Sequence, residues 1–363
     1  MITYLRNLWD RHFSDPQVVI LVLLLATFAA AVLLFGQILA PVFAAVVIAY
    51  LLDGLVERLI KQGVRRTFAV AGVSLLFFTG LVASVFFLLP LVYRQAGLLL
   101  QQLPMMIAEV EGFVLQLPDR FPEVFSETQV VEIAANMRAE AGRAAERILR
   151  GSFAIVPSLI LLIVYLILVP FLVFFFLQDK AKILAWFSGF LPKEHQLAQK
   201  VWQETNRQLA NYIRGKFWEI VIVGTVTYAA FLVLGLNFAL LLAVFTGLSV
   251  LIPWVGATLM AFPVIAVAYF QFGPTWAAAT VIIVYFIIQA LDANVLVPIL
   301  FSRVVSLHPS AIIVAVLFFG GIWGFWGVFF SIPLATLVNA VIQAWPRIVE
   351  GEVEVRDFEE TTG

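Results

Sequence analysis

The stretch Ile220-Val-Ile-Val-Gly-Thr-Val-Thr-Tyr-Ala-Ala-Phe-Leu-Val-Leu-Gly235-Leu-Asn237-Phe-Ala-Leu-Leu-Leu-Ala-Val-Phe-Thr-Gly-Leu-Ser249-Val-Leu-Ile-Pro253-Trp-Val-Gly256 opens a run that reaches Leu291 without a single Asp, Glu, Lys or Arg. A helix crosses the hydrocarbon of a bilayer in about 20 residues, so this run of 72 residues holds about three crossings. Further uncharged runs lie between Asp15 and Asp53, from Thr67 to Tyr93 and from Gly151 to Gln178. Across the 363 residues, 63% are hydrophobic and 12% charged, against about 45–50% and about 25% in soluble domains. A water-soluble fold of this size has no interior large enough to hide that much apolar surface. Continuous apolar runs also differ from the short alternating segments of a membrane β-barrel. The expected fold class is all-α: a polytopic helical integral membrane protein with about eight transmembrane helices and a re-entrant or broken helix near 236–256.

Working outward, residues 1–93 form an N-terminal membrane segment of three spans: about 17–35, a second from a Gly36–Pro41 turn to Gly54, and 67–93, with Pro90 near its end. The first run ends at Phe35-Gly36-Gln37 with no A-x-A-type cleavage site, so it reads as a retained span rather than a signal peptide. Residues 94–150 form an extramembrane helical segment with six Arg and eight acidic residues, divided by prolines 104, 118 and 122. Its seam of Val130, Ala134, Met137, Ala141, Ala144 and Ile148 suits packing on another helix, either of this chain or of a neighbouring subunit. Span four occupies 151–178. The segment 179–216 is cytoplasmic or interfacial, with Lys200, Arg207 and Arg214 available to headgroups. A C-terminal membrane core follows at 217–346, with spans at 217–234, 255–272 and 274–300 and a long last helix from His308 to Trp345. The tail, 347–363, is acidic and polar. Placing both termini inside assigns 15 of the 22 Lys and Arg to cytoplasmic segments, with 94–150 outside and Arg303 on the outer face.

Soluble-enzyme motifs are absent. There is no Walker A sequence, and Ser249 fails the G-x-S-x-G pattern. His12, His195 and His308 form no H-E-x-x-H motif, and with no cysteine in the chain neither a metal site nor a cofactor is expected. A net charge of −1 gives no field for nucleic acid. The expected partners are the lipid bilayer, further copies of the chain, and a small solute, monovalent cation or proton.

Polar residues inside apolar runs carry the functional signal, because burying them in lipid costs about 2.5–3.5 kcal/mol for a charged side chain. Asp292 interrupts Tyr285-Phe-Ile-Ile-Gln289-Ala-Leu-Asp292-Ala-Asn294, and the apolar run then resumes. Gln289 shares its helix face, Asn294 lies on the adjacent side, and Pro298 frees the Asn294 carbonyl. Such a set can bind a cation or a polyol or accept a proton; a polar knot between helices fits as well. Asn237, Pro253 and Gly256 bracket the broken helix and complete the pathway candidates. Asp53, Glu57 and Arg58 are candidates for a rim ion pair or a gate. Gly320, Gly324, Gly327 and Ser331 form a small-residue stripe suited to close helix packing, with a hinge or a narrow conduction path as alternatives and Pro333 as the expected bend.

The stretch from Asp292-Ala-Asn294 through Pro298, His308-Pro309 and Gly320-Gly-Ile-Trp-Gly-Phe-Trp-Gly to Pro333 resembles the C-terminal signature of the AI-2E transporter family. Leu51-Leu-Asp53, Phe176-Leu-Gln-Asp179-Lys, Tyr212-Ile-Arg-Gly-Lys216, Gly235-Leu-Asn237 and Ser249-Val-Leu-Ile-Pro253-Trp-Val-Gly256 follow in the expected order, so the resemblance covers nearly the whole chain. It implies a bacterial inner-membrane protein of eight helices, assembled as a homo-oligomer, a pentamer. It also implies export of the signal molecule autoinducer-2 or sodium(lithium)/proton antiport, without deciding between them. Many relatives carry Gly near Ser302, where this chain does not. The expected function is therefore a permease or secondary transporter for a small polar solute. The alternatives are a cation/proton antiporter, an oligomeric channel or, in another class, a non-transporting scaffold.

Overall fold

The computed structural model describes residues 16–116, 118, 126–152, 155–189, 196–253, 255–301 and 308–344. Among these every regular element is a helix: α1 (Pro16–Lys61), α2 (Arg66–Ala83), α3 (Leu89–Leu115), α4 (Glu127–Ser152), α5 (Ile155–Gln178), α6 (Lys180–Ser188), α7 (Gln196–Val233), α8 (Ala239–Ser249), α9 (Val255–Phe272), α10 (Trp276–Leu291), α11 (Val297–Phe301) and α12 (Pro309–Ala344). The tail at 347–363, Ser302 and Arg303 lie outside the described residues. Among the described residues, six helical stretches are long and apolar enough to cross a bilayer, and seven if Ile163–Gln178 is joined to Lys180–Trp186, from which it is bent by 80°. This agrees with the expected fold class and roughly with its count of about eight. Large apolar side chains such as Phe86, Phe87 and Leu232 stand mostly exposed, the surface expected where the surrounding medium is lipid.

Among the described residues two π-helical turns interrupt the helices, Ser84–Leu88 between α2 and α3 and Asp292–Leu296 between α10 and α11. Each ends two residues before a proline, Pro90 or Pro298. Proline lacks an N–H and clashes with the carbonyl four residues back. Widening the turn moves that carbonyl away, and the helix continues. Thus Pro90 does not end the third span: the helical run from Arg66 passes it without a break and reaches Gly112 as one stretch. Similarly, α1 runs through Gly36 and Pro41 with no turn. Nothing polar in that segment gains from leaving the helix, whereas open backbone in lipid costs several kcal/mol. The interfacial segment and span five also merge, because α7 contains no proline to stop it.

The chain divides into two compact units. One comprises Ala40–Ile183 and Ile213–Arg303 and contains two apolar cores. Val56 of α1, Val70 of α2 and Val173 of α5 fill the first. Phe231 of α7, Leu242 of α8, Val264 of α9 and Tyr285 of α10 fill the second, with Met106 of α3 against it. Outside these cores, α3 and α4 pair, with Val130 and Ala134 buried and Arg138 Nε donating to Glu111 Oε2 at 2.6 Å. The front of the expected seam is therefore used within the chain; the side chains of Met137, Ala141, Ala144 and Ile148 lie outside the described residues.

The helices α8 and α9 form a hairpin. At its apex, a Cβ on Gly256 would overlap the carbonyl of Ser249, so only glycine lets the two arms meet. At its open end, Gln271 of α9 donates Nε2–H to the Gly235 carbonyl at 2.7 Å and accepts the Asn237 N–H at 2.6 Å, pinning the turn in which Gly235 and Phe238 take positive φ. Its 11-residue arm rises about 16 Å, well short of the roughly 30 Å hydrocarbon layer. The expected re-entrant element is present, and α9 is its return arm although its length alone would suit a crossing.

The second unit contains α12, which reverses at Gly324 (φ 58°, ψ −135°), a conformation essentially confined to glycine. A Cβ on Gly327 would overlap the Phe319 carbonyl, and one on Gly320 would lie 2.8 Å from Val328 Cγ2. Residues eight apart in a straight helix are about 12 Å apart along its axis, so α12 folds back on itself. The break falls at Gly324 rather than Pro333, and the glycines serve the reversal instead of lining one continuous helix. Phe330 stacks between Trp323 and Trp326 at 6.1 and 5.9 Å, and Gly36 of α1 lies directly against Trp323.

These close approaches predict opposite outcomes for one substitution type. Gly256→Ala is expected to lower the unfolding midpoint of the detergent-purified protein sharply or to abolish its accumulation. Gly80→Ala, where a Cβ meets open space, is expected to be neutral or to stabilise by up to about 1 kcal/mol through helix propensity.

Candidate functional site

The site begins with the face of α7 made by Tyr212, Lys216, Glu219, Val223 and Thr227, all buried. Spacings of four and three put them on one side of the helix. Against this side lies α8, brought close by glycines on both helices: a Cβ on Gly247 would sit 2.8 Å from the Ile220 carbonyl and 3.1 Å from Gly224 Cα. Small residues permit this backbone contact, the usual means of joining helices in lipid.

That approach delivers the carbonyl end of α8 to Lys216. The Lys216 ammonium donates to the Val250 carbonyl at 2.8 Å and pairs with Glu219 Oε2 at 2.7 Å. Both side chains are almost wholly enclosed, at 6% and 3% exposure. The Phe301 ring lies 5.3 Å from the ammonium and closes over Gly215, where any Cβ would stand 2.7 Å from the ring. A third charge completes the cluster. Asp292, at the start of the second π-turn, is within electrostatic reach of both Lys216 and Glu219. Fully ionised, the three groups leave one negative charge uncompensated.

Tyr285 and Gln289 of α10 and Asp292, the first residue of the π-turn that continues it, follow one another at spacings of four and three and therefore share a face. Tyr285 donates to the Ala257 carbonyl at 2.6 Å, anchoring that face to the beginning of α9. Asp292 Oδ1 and Gln289 Nε2 are buried and have no hydrogen-bond partner among the described residues. The same holds for the hydroxyls of Thr227 and Thr246 on α7 and α8.

Other expected residues are placed differently. Asn294 is exposed and bonds back to the Ala290 carbonyl at 2.8 Å, because the π-turn rotates it away from Asp292. Pro298 is exposed and explains the π-turn. Pro253 and Gly256 form the hairpin apex. Asn237 lies at the hairpin's open end, beside a pocket also lined by Gln102, Glu109 and Gln271. At the rim, Asp53 pairs with Lys180 at 2.7 Å, while Glu57 and Arg58 are exposed. Gly320, Gly324, Gly327 and Ser331 belong to α12, where the Ser331 hydroxyl donates to Val328 at 2.7 Å.

Lys216 and Glu219 were outside the expected set. They adjoin a basic segment, and the uncharged block begins one residue after Glu219, so charge alone puts the membrane edge at this point. The 212–216–219–223–227 periodicity was the available signal, because it carries an apolar face straight through both charges.

Comparison with known proteins agrees with this architecture. Residues 19–347 match the model of the AI-2E family transporter. The chain is 43% identical over 346 residues to "Putative permease PerM" of Escherichia coli (strain K12), covering 95% of this chain and 98% of that protein. It is 25% identical to "Putative transport protein YueF" of Bacillus subtilis (strain 168), over 93% and 94% of the two chains. It is also 25% identical to "Putative transport protein YrrI" of the same organism, over 85% and 87%. The chain belongs to the AI-2E transporter family.

Proposed function

We propose that the chain is a permease-type secondary transporter that moves a small polar solute across the membrane without hydrolysing ATP, and that the cluster on α7, α8 and α10 is its site. One observation carries this reading: Asp292 Oδ1 is buried without a hydrogen-bond partner among the described residues, within electrostatic reach of the buried Lys216–Glu219 pair. It lies on the face it shares with the equally unpaired Gln289 Nε2, while the Thr227 and Thr246 hydroxyls on α7 and α8 are buried without partners as well. Each such group costs free energy in an apolar interior, and a purely structural bundle has no use for them. They offer acceptors and donors to a solute, with Asp292 as the carboxylate that meets the solute or a coupled proton. The hairpin α8–α9 ends inside the bilayer at this cluster, as broken helices commonly do at transport sites.

In this reading the protein sits in a bacterial inner membrane as a homo-oligomer, a pentamer, with the C-terminus and 179–216 cytoplasmic and 94–150 outside. The helix α1 runs from Pro16 to Lys61 without a turn and so crosses once rather than twice, which moves the start of α1 to the outer face from the cytoplasmic one expected for the N-terminus. Because α8 and α9 return the chain to the face they left, α10 and α11 carry it to the cytoplasmic face, which moves the chain after Phe301 from the outer face expected for Arg303. The reversal of α12 at Gly324 keeps the C-terminus on that face. Uptake by reconstituted vesicles against sugars, autoinducer-2 and monovalent cations tests the proposal. Saturable flux of one solute class is expected; stepwise single-channel currents, or no flux of any solute, would refute it.

A further inference from the structure

Transporters commonly hold monovalent cations at the carbonyl ends of broken helices, where the last carbonyls have no partner within the helix and the helix dipole is negative. Here that seat already contains a positive charge supplied by the chain. The Lys216 ammonium lies against the Val250 carbonyl at 2.8 Å, Glu219 Oε2 at 2.7 Å and the face of Phe301 at 5.3 Å. These are an oxygen dipole, a carboxylate and an aromatic face, each of which favours a cation. Gly215 lets the ring close over the ammonium. We propose that Lys216 is a tethered counter-cation: it fills the seat that a free monovalent cation would otherwise occupy between α8 and Glu219. The protein then needs no alkali ion bound there, and Lys216 becomes the residue that decides ion dependence. The consequence for flux rests on the transporter reading above, whereas the seat itself is tested by binding.

The experiment compares thermal unfolding of the full-length purified chain in sodium, potassium, methylammonium or N-methylglucamine chloride at equal ionic strength. The wild-type midpoint is expected to be the same in all four. Lys216→Met keeps the stem volume and empties the seat. Its midpoint is expected to fall in N-methylglucamine and to recover by several degrees in sodium, potassium or methylammonium. Adding Glu219→Gln to that variant should remove the cation dependence. Selective stabilisation of the wild type by an alkali cation would overturn the proposal. So would a folded Lys216→Met protein indifferent to every cation, or one that fails to fold whichever cation is present during extraction. Absence of flux from wild-type vesicles would sink the transporter reading and leave these results standing.

Discussion

Asp292→Asn is expected to reduce solute flux by about 100-fold or more, the order of loss when a positioned proton-transfer group is removed, while the protein remains folded. The substitution preserves side-chain size and removes only charge and acceptor character. Asp292 Oδ1 has no hydrogen-bond partner among the described residues, so its fold contribution is small or unfavourable: an uncompensated carboxylate in an apolar setting costs free energy. Stability and transport should therefore separate. The variant should unfold at or above the wild-type midpoint yet fail to carry solute in vesicles. A polar knot joining helices would behave in the opposite way, with flux retained and stability lowered.

Glu219→Ala and Lys216→Ala are each expected to destabilise by about 3–5 kcal/mol, the cost of leaving a buried charge without its partner. Both partners are enclosed within the bundle, so solvent does little to screen the remaining charge. Replacing both, as Lys216→Met with Glu219→Gln, should recover most of the loss, because the uncompensated charge is gone. The pair Lys182–Asp179, at 2.8 Å with Lys182 exposed and Asp179 half-buried, provides the contrast: removing Lys182 should cost less than about 1 kcal/mol. Denaturant unfolding of the detergent-purified variants measures all four. A loss in the Lys216→Ala/Glu219→Ala double variant equal to the sum of the two single losses would argue against a coupled pair.

Much of the architecture was legible because lipid imposes a severe constraint. A helix in hydrocarbon must be apolar nearly throughout, so the uncharged runs expose the spans, and Asp292 stands out within one of them. The break near 236–256 was equally legible from Gly235, Asn237, Pro253 and Gly256. A turn at Gly36–Pro41 is the expectation there, but the segment stays helical, as does the span that passes Pro90, because a proline in lipid loses one hydrogen bond whereas a turn would leave several groups unpaired. Reversal of α12 was hidden for a related reason. Spacings of four and three among Gly320, Gly324 and Gly327 suit both a packed straight helix and a tight fold-back; only the backbone angles of Gly324 distinguish them. Lys216 and Glu219 were concealed by their position at the end of a basic segment, where charge is ordinarily taken to mark water.

The most direct test of whether this cluster lies on a transport path uses the absence of cysteine from the chain. Gln289→Cys is introduced, with Gln129→Cys on exposed α4 as a surface control, and vesicles are treated with a small, membrane-impermeant, positively charged methanethiosulfonate reagent. The predicted result is modification of Cys at 289 through water that reaches the cluster during the transport cycle, accompanied by loss of flux. Complete labelling of the surface control while position 289 stays unmodified would contradict it, because the cluster would then be sealed and its unpaired groups would have another origin.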